Sequence, residues 1–335
     1  MKFRIQNREI GINNPAFIIA EIGINHNGSL ISCKKMIKAA ANSGADAVKI
    51  QTVEISKSYD KKTNSYKIFK GKNFSDNELK ILQKYSNQLN IIFFSTPGDI
   101  HSLKRLLRLR FPVIKVSSGL ADNYPLIREI IKKKIPLIIS TGLSNSKDLK
   151  YLQRFIAKYK FKKIGILKCT SIYPAKNNQL GLEFIEDLKK IFKLPIGYSD
   201  HSLGDLACIT AVARGAKIIE KHFTLNKRIK GGDHHISLEP KEFKKMVKKI
   251  RSVEEILGKY SFKTDKKISK NRGLFQRYLV ALKNIQKGEK FSLLNVGFKR
   301  KNIKFKGLKP KYFFKLENKK SKNFIAKDQF LKSYK

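Results

Sequence analysis

Acid is what this chain has little of. Against 72 lysines and arginines stand 26 aspartates and glutamates, a formal charge of +46. Such an excess raises nucleic acid or an anionic surface as a partner. Yet the basic residues are scattered over polar helix positions (KKMIKAA, REIIKKK, EFKKMVKKI), with no zinc-finger, RNP or helix-turn-helix pattern beside them. Specific nucleic-acid binding is therefore not expected, whereas a positive field that draws in small anionic substrates is. Cysteine is scarce as well. Cys33, Cys169 and Cys208 are far apart, odd in number and never in C-x-x-C spacing, which speaks against zinc or dithiol redox chemistry and for reduced, structural thiols. No apolar run is long enough to span a membrane, and MKFRIQNREIG lacks the apolar stretch and small-residue cleavage site of a signal peptide, so the expected location is the cytoplasm. Nor does a G-x-G-x-x-G follow the first apolar run, which argues against a dinucleotide fold.

What is present is alternation. After a hairpin-like start, FRIQNREIGINN, come eight apolar runs of strand length: 17–23, 47–52, 91–97, 113–119, 136–142, 164–170, 195–201 and 217–224. Amphipathic helical segments separate them, among them SLISCKKMIKAAANSG, SDNELKILQKYSNQL, HSLKRLLRL, YPLIREIIKKK, SKDLKYLQRFIAKY and GDLACITAVARG, with EFKKMVKKIRSVEEILG closing the series. Near-continuous apolar strands, each followed by a helix, fit a parallel sheet covered on both faces. Closure into a (β/α)8 TIM barrel over residues 1–258 is the economical α/β reading, with an open doubly wound sheet as the alternative. Residues 259–275 read as a polar, basic linker. Residues 276–335, with YLVALKNI, FSLLNVGFKR, YFFKLE and FIAKDQF, read as a small, mostly β domain.

In such a barrel the chemistry gathers where the strands end. The first run presents Glu21, with Asn25 and His26 in the loop, and the second presents Lys49 and Gln51. Ser95 and Thr96, then Lys115, Ser117 and Ser118, then Ser140 and Thr141, end the next three. Lys168 and Thr170 with Tyr173, then Ser199, Asp200 and His201, then Glu220, Lys221 and His222, end the last three. Lys49 and Lys115 sit inside apolar strands, where an unpaired ammonium costs several kcal/mol, on the order of its desolvation penalty. A bound phosphorylated acid would supply the anion; pairing with Glu21 or Glu220 is the alternative. His201 and His222 end adjacent strands and suit a divalent cation with open positions, or a general-acid pair. Cys169 has no activating histidine identifiable by spacing and reads as a small buried thiol.

At these residues the sequence resembles the sialic acid (N-acetylneuraminate) synthase family, with its legionaminic and pseudaminic acid relatives. AEIGINHNGSL, GADAVKIQT, FFSTP, IKVSSG with NYPLI, LIISTG, KCTSIYPA, GYSDHSLG, GAKIIEKHFTL and GGDHHISLEP carry the likeness in order along the barrel. QRYLVALKNIQKGE to FKRKNI resembles the type III antifreeze-like domain of that family. The resemblance implies a metal-dependent condensation, Mn2+ foremost, of phosphoenolpyruvate with an open-chain N-acetylmannosamine-type sugar. Phosphoenolpyruvate contacts would fall on Lys49, Thr96, Lys115, Ser118, Ser140 and Ser199, and metal ligands on His201 and His222. Glu21 and Asp233 would be the catalytic carboxylates. Gln51, Tyr173 and Arg300 would meet the sugar, the last supplied by the partner in a domain-swapped homodimer.

Two departures touch sugar recognition. Leu120 stands where the family usually has an acidic residue, with Asp122 two places on, and Arg300 lacks the Pro-Gly that normally follows it. A related 3-deoxy-ulosonate synthase using another aldose, or a basic binding protein on an inactive barrel, are the alternatives.

Overall fold

The computed structural model describes residues 2–258, 266–301 and 305–332. The chain divides into two compact units, Met1–Gly258 and Lys259–Lys335.

The first unit opens with an antiparallel hairpin, β1 (Lys2–Ile5) and β2 (Arg8–Gly11). Phe3, Ile5 and Ile10 of this hairpin belong to the barrel's core cluster. Eight parallel strands then close on themselves: β3 (Phe17–Gly23), β4 (Ala47–Thr52), β5 (Ile92–Pro97), β6 (Ile114–Val116), β7 (Leu137–Ser140), β8 (Ile164–Cys169), β9 (Ile196–Asp200) and β10 (Ile218–His222), with β10 pairing back to β3. This is a TIM barrel, and the absence of a free sheet edge excludes the open alternative. Side chains fill its interior. At Gly165 and Gly197 a Cβ would lie 2.4 Å from Ile218 Cδ1 and from the Ile218 carbonyl oxygen, so both glycines make room for the isoleucine of β10.

Local signals fix the helices that cover the barrel. Ser29, Ser75, Asp99, Asn123 and Asn145 each accept a backbone N–H with the side chain at a helix start, Ser75 and Asn145 in reciprocal capping boxes. The helices of Leu30–Asn42, Asp76–Gln88, Ile100–Arg108, Tyr124–Lys132, Ser146–Lys158, Leu206–Ala213 and Pro240–Leu257 lie within or close to the expected segments. Two short helices, Ile55–Ser58 and Asn64–Phe69, and one longer one, Phe184–Phe192, are not among them; the longest is the instructive case. Its Glu183 cap makes no side-chain bond and it ends on Lys193 at φ 51° where glycine is usual, so neither the start nor the stop signal is written in the sequence.

In the second unit, β11 (Arg277–Ala281) and β12 (Val296–Arg300) pair antiparallel over a core of Leu279, Ala281, Ile285, Phe291, Val296 and Phe313. YFFKLE, expected as a β piece, is instead part of a 3-10 helix, Pro310–Lys315, that begins on a proline, whose fixed φ suits a helix start. Of the stretch expected as a linker, Lys266–Phe275 is helical, and residues 259–265 lie outside the described residues. Among the described residues no helix is long and apolar enough to cross a membrane.

Candidate active site

The C-terminal strand ends surround a cavity of about 560 Å³ into which Glu21, Lys49, Gln51, Thr96, Lys115, Ser118, Ser140, Tyr173, Ser199, His201, His222 and Asp233 all project. The barrel residues assigned a substrate, metal or catalytic role from the resemblance all line this cavity, whereas Ser95, Thr141, Lys168, Asp200 and Lys221, also noted at strand ends, do not. Strand pleating decides which residues arrive. In β10, Glu220 and His222 enter the cavity, whereas Lys221, between them, turns outward and pairs with Asp200 of β9 at 2.7 Å.

The floor of the cavity is a buried charge cluster. Lys49 Nζ lies 3.0 Å from Glu21 Oε2 and 3.4 Å from Glu220 Oε2, and donates to Thr96 Oγ1 at 3.2 Å. Lys115 Nζ donates to Ser140 Oγ at 2.7 Å and stands 3.5 Å from Glu220 Oε1, which also accepts from Ser199 Oγ at 2.9 Å. Neither ammonium is left bare. The requirement for an outside anion, argued from their burial, is met inside the chain by Glu21 and Glu220. Glu220 thus sits at the centre of the cluster, although the sequence offered it only as an alternative partner.

The two carboxylates are driven in opposite directions. Burial dominates at Glu21 and, with Glu220 nearby, raises it to about 7 despite Lys49. At Glu220 burial is outweighed by Lys115, Lys49 and the Ser199 hydroxyl, which hold it well below the usual carboxylate range. Divergent carboxylates of this kind separate an acid–base group from a permanent counter-charge. Lys115 is lowered, by burial first and by the Lys49 charge beside it, whereas at Lys49 the two carboxylates overcome burial and raise it.

A second group forms the wall. Gly23 adopts φ +56°, and a Cβ there would come within 3.3 Å of Glu21 Oε1, 3.6 Å of Gln51 Nε2 and 3.9 Å of Asp233 Oδ2, so these three polar groups converge over a position that only glycine fits well. Asp233, raised by burial, reaches His222 Nδ1 at 3.6 Å. Burial, with the His201 and Lys49 charges, holds His222 well below the ordinary imidazole value and hence neutral. Its Nδ1 has no hydrogen-bond partner although it is buried. His201 Nδ1 donates to the Thr170 carbonyl at 2.8 Å, which leaves Nε2 as the free lone pair. The two rings lie 5.3 Å apart, and Tyr173 stacks on His201 at 4.0 Å.

Two free imidazole nitrogens on neighbouring strand ends fit a divalent cation, the remaining positions being open to water or substrate. Among the described residues no three His, Cys, Asp or Glu groups gather tightly enough to close a metal site from protein alone. A neutral His222 whose Nδ1 makes no hydrogen bond suits the ligand reading better than the general-acid one. Cys169 is a buried free thiol as expected, but a histidine does stand beside it: its Sγ lies 3.7 Å from His201 Nδ1, and although burial opposes it, His201 and Ser118 lower the thiol. No spacing rule could find that pair, because the partners come from different strands.

Two residues stand apart. Leu120 packs against the hydrophobic core and does not line the cavity, so the acidic position it replaces is not refilled there. Arg300 ends β12 of the second unit, exposed, with its guanidinium 5.2 Å over the Phe275 ring, and Asn302, two places on, lies outside the described residues.

Comparison with known proteins identifies the family. The NeuB family model matches residues 36–262. The chain is 38% identical to the N,N'-diacetyllegionaminic acid synthase of Campylobacter jejuni, over 84% of this chain and 90% of that protein. It is also 38% identical to the pseudaminic acid synthase of the same organism, over 96% of each. The crystal structure of the sialic acid synthetase of Leptospira borgpetersenii, in complex with citrate, superposes with a TM-score of 0.78 at 33% identity, covering 81% of this chain and 95% of that one. With the closed barrel, the family model and these relatives in agreement, the chain belongs to the NeuB family and is an enzyme, a phosphoenolpyruvate-dependent transferase of the synthase type.

Proposed function

We propose that the enzyme condenses phosphoenolpyruvate with N-acetylmannosamine or a related 2-acetamido sugar, with the help of a divalent cation, Mn2+ foremost. A sialic-acid-type nonulosonic acid and phosphate result. The observation that carries this reading is the buried Lys49–Lys115 cluster, ringed by hydroxyls, at the floor of a cavity whose wall bears two free imidazoles.

Two ammonium groups face one firmly ionised carboxylate, Glu220, and one that is about half protonated near neutral pH, Glu21, so the cluster keeps a net positive charge for an anionic substrate. Lys49 and Lys115, with Thr96, Ser118, Ser140 and Ser199, hold the phosphate and carboxylate of phosphoenolpyruvate. Its methylene carbon then bonds to the sugar's aldehyde carbon, water adds at the enol carbon, and phosphate leaves by carbon–oxygen cleavage. Glu21 takes up the proton of that water, with Asp233 as the second carboxylate at the same wall. A cation on His201 and His222 would polarise the aldehyde oxygen. Gln51 and Tyr173 border the space left for the sugar.

A swapped homodimer, in which Arg300 reaches the partner's mouth, completes the proposal. Its support is a set of exposed apolar residues on the segments that follow the barrel strands, Leu143, Ile172, Leu203 and Ile229 on loops and Leu206 at a helix start, a face that a lone barrel leaves in water. Three buried free cysteines and the lack of a membrane-crossing helix among the described residues suit a cytoplasmic enzyme.

The test is incubation with phosphoenolpyruvate and a panel of 2-acetamido sugars, with and without Mn2+, reading phosphate release and product mass. Release with one of the sugars and a product of the summed mass is expected; none with any of them overturns the substrate assignment. For the dimer, a Lys49→Ala chain remixed with an Arg300→Ala chain regains activity that neither has alone. Silence from verified heterodimers removes the trans role of Arg300.

A further inference from the structure

Behind the mouth lies an ion pair that the reaction does not use. Asp200 and Lys221 have fully buried side chains, 2.7 Å apart. A buried pair is weak support for stability, since desolvation offsets most of its attraction, and a different role explains it better.

Its place in the ladder supplies that role. β9 and β10 are in register at Ile219 with Tyr198, Glu220 with Ser199 and Lys221 with Asp200, and the pairing stops there. His201 and His222 are the next residue on each strand. The ladder between β9 and β10 therefore ends one step short of both imidazoles, and the last tie between these two strands is made by side chains, while on their other flanks His222 pairs with Glu21 of β3 and the His201 carbonyl accepts from Ala175 N. Lys221 Nζ also donates to the Ser202 carbonyl at 2.5 Å, so one ammonium grips the residues on both sides of His201. Asp200 is itself held: Oδ1 accepts from Ser202 N at 2.9 Å, Ser202 Oγ at 2.7 Å and Tyr198 Oη at 2.9 Å, and Oδ2 accepts from Cys208 Sγ at 3.4 Å. Strand pleating turns these residues away from the cavity while the neighbouring histidines turn into it. Fixing the back of the strands fixes the front.

We infer that Asp200 and Lys221 are positioning residues that set the spacing of His201 and His222 for the cation. The inference rests on the metal reading above. It is tested with Mn2+ alone, by calorimetry on the full chain without substrates. Lys221→Met fills a similar volume without the ammonium and raises the Mn2+ dissociation constant about 10–100-fold, the usual cost of losing an outer partner of a metal ligand. Leu79→Ala, on a covering helix, lowers the melting temperature but leaves Mn2+ binding unchanged, which separates positioning from general softening. Asp200→Asn with Lys221→Gln rebuilds a neutral bridge and recovers most of the affinity. If Lys221→Met does not fold, Asp200→Asn is read in the same way. Wild-type affinity in these single variants, or an equal loss in Leu79→Ala, overturns the positioning role alone. A wild-type chain with no Mn2+ binding that His222→Ala removes overturns the metal reading and this inference with it.

Discussion

The barrel strands begin in one chemistry and end in another. Their first residues, Phe17, Ala47, Ile92, Ile114, Leu137, Ile164, Ile196 and Ile218, are apolar and 2% exposed or less. Further along the same strands, and 5% exposed or less, stand Glu21, Lys49, Lys115, Ser140, Ser199 and Glu220. Burying the first set stabilises the fold by about 1.5–3 kcal/mol for each large side chain. Burying the second set returns little, because desolvation of the ions offsets their pairing. One end of the barrel therefore holds the molecule together and the other is held in place by it.

Breaking the mouth should abolish turnover and spare the fold. The largest effect expected is from chelation: excess chelator stops phosphate release and Mn2+ restores it, while the melting temperature of the protein moves little. Full turnover in chelator would sink the metal assignment. Lys49→Met comes next, lowering kcat/KM by roughly 10³-fold or more, since it removes the ammonium shared by Glu21 and Glu220 at the floor of the cavity. Lys115→Ala acts mainly on saturation, with KM for phosphoenolpyruvate rising about 10–100-fold and that for the sugar unchanged. If the sugar's KM moved instead, Lys115 would belong to the other substrate.

The other end should answer in reverse. Ile218→Ala leaves a void beside Gly165 and Gly197, neither of which has a side chain to refill it, and costs about 2–5 kcal/mol of stability. At temperatures where the variant is folded, both KM values stay at wild-type levels. A changed KM would mean that the two ends are mechanically coupled and that the division drawn here is too sharp.

The division also governs what could be read in advance. The apolar runs announce the strands, and the polar residues that interrupt them at one end announce the mouth, because burial and pleating act locally along the chain. Partnerships across strands leave a weaker trace: pairing of the lysines with Glu21 or Glu220 can be named only as an alternative, and the others not at all. Lys49 with two carboxylates, Cys169 with His201, and Lys221 with Asp200 each join elements separated by at least 21 residues, and only closure of the barrel brings them within reach. The resemblance supplied candidate roles for the mouth, but it could not say that Glu220 stands between both lysines or that Leu120 packs against the core. The helix Phe184–Phe192 was missed for a simpler reason: it buries Ile185, Leu188 and Phe192 with the right period but carries no side-chain cap at its start.

The smallest effect expected joins both ends of the comparison in one residue. Glu21 is buried like a floor residue and ionisable like a mouth residue, and its carboxyl is raised from 4.5 to about 7. A raised folded value means that the native state holds the proton more tightly than the unfolded chain does. Its contribution to stability is therefore complete below pH 4.5 and lost as pH climbs through about 7. At about 1.4 kcal/mol per unit, the loss is roughly 3.5 kcal/mol. The same rise in pH creates the carboxylate that accepts the proton of the attacking water. The enzyme thus gains its base as it loses that stability. Glu21→Gln, neutral at every pH, should flatten the fall in stability across this range, measured by denaturant unfolding at a series of pH values, and should also remove the limb of kcat/KM that rises through neutrality. Ile218→Ala should shift the whole stability curve down without changing its slope. Parallel curves for wild type and Glu21→Gln would show that Glu21 titrates as an ordinary surface carboxylate, and the proton-accepting role would then pass to Asp233.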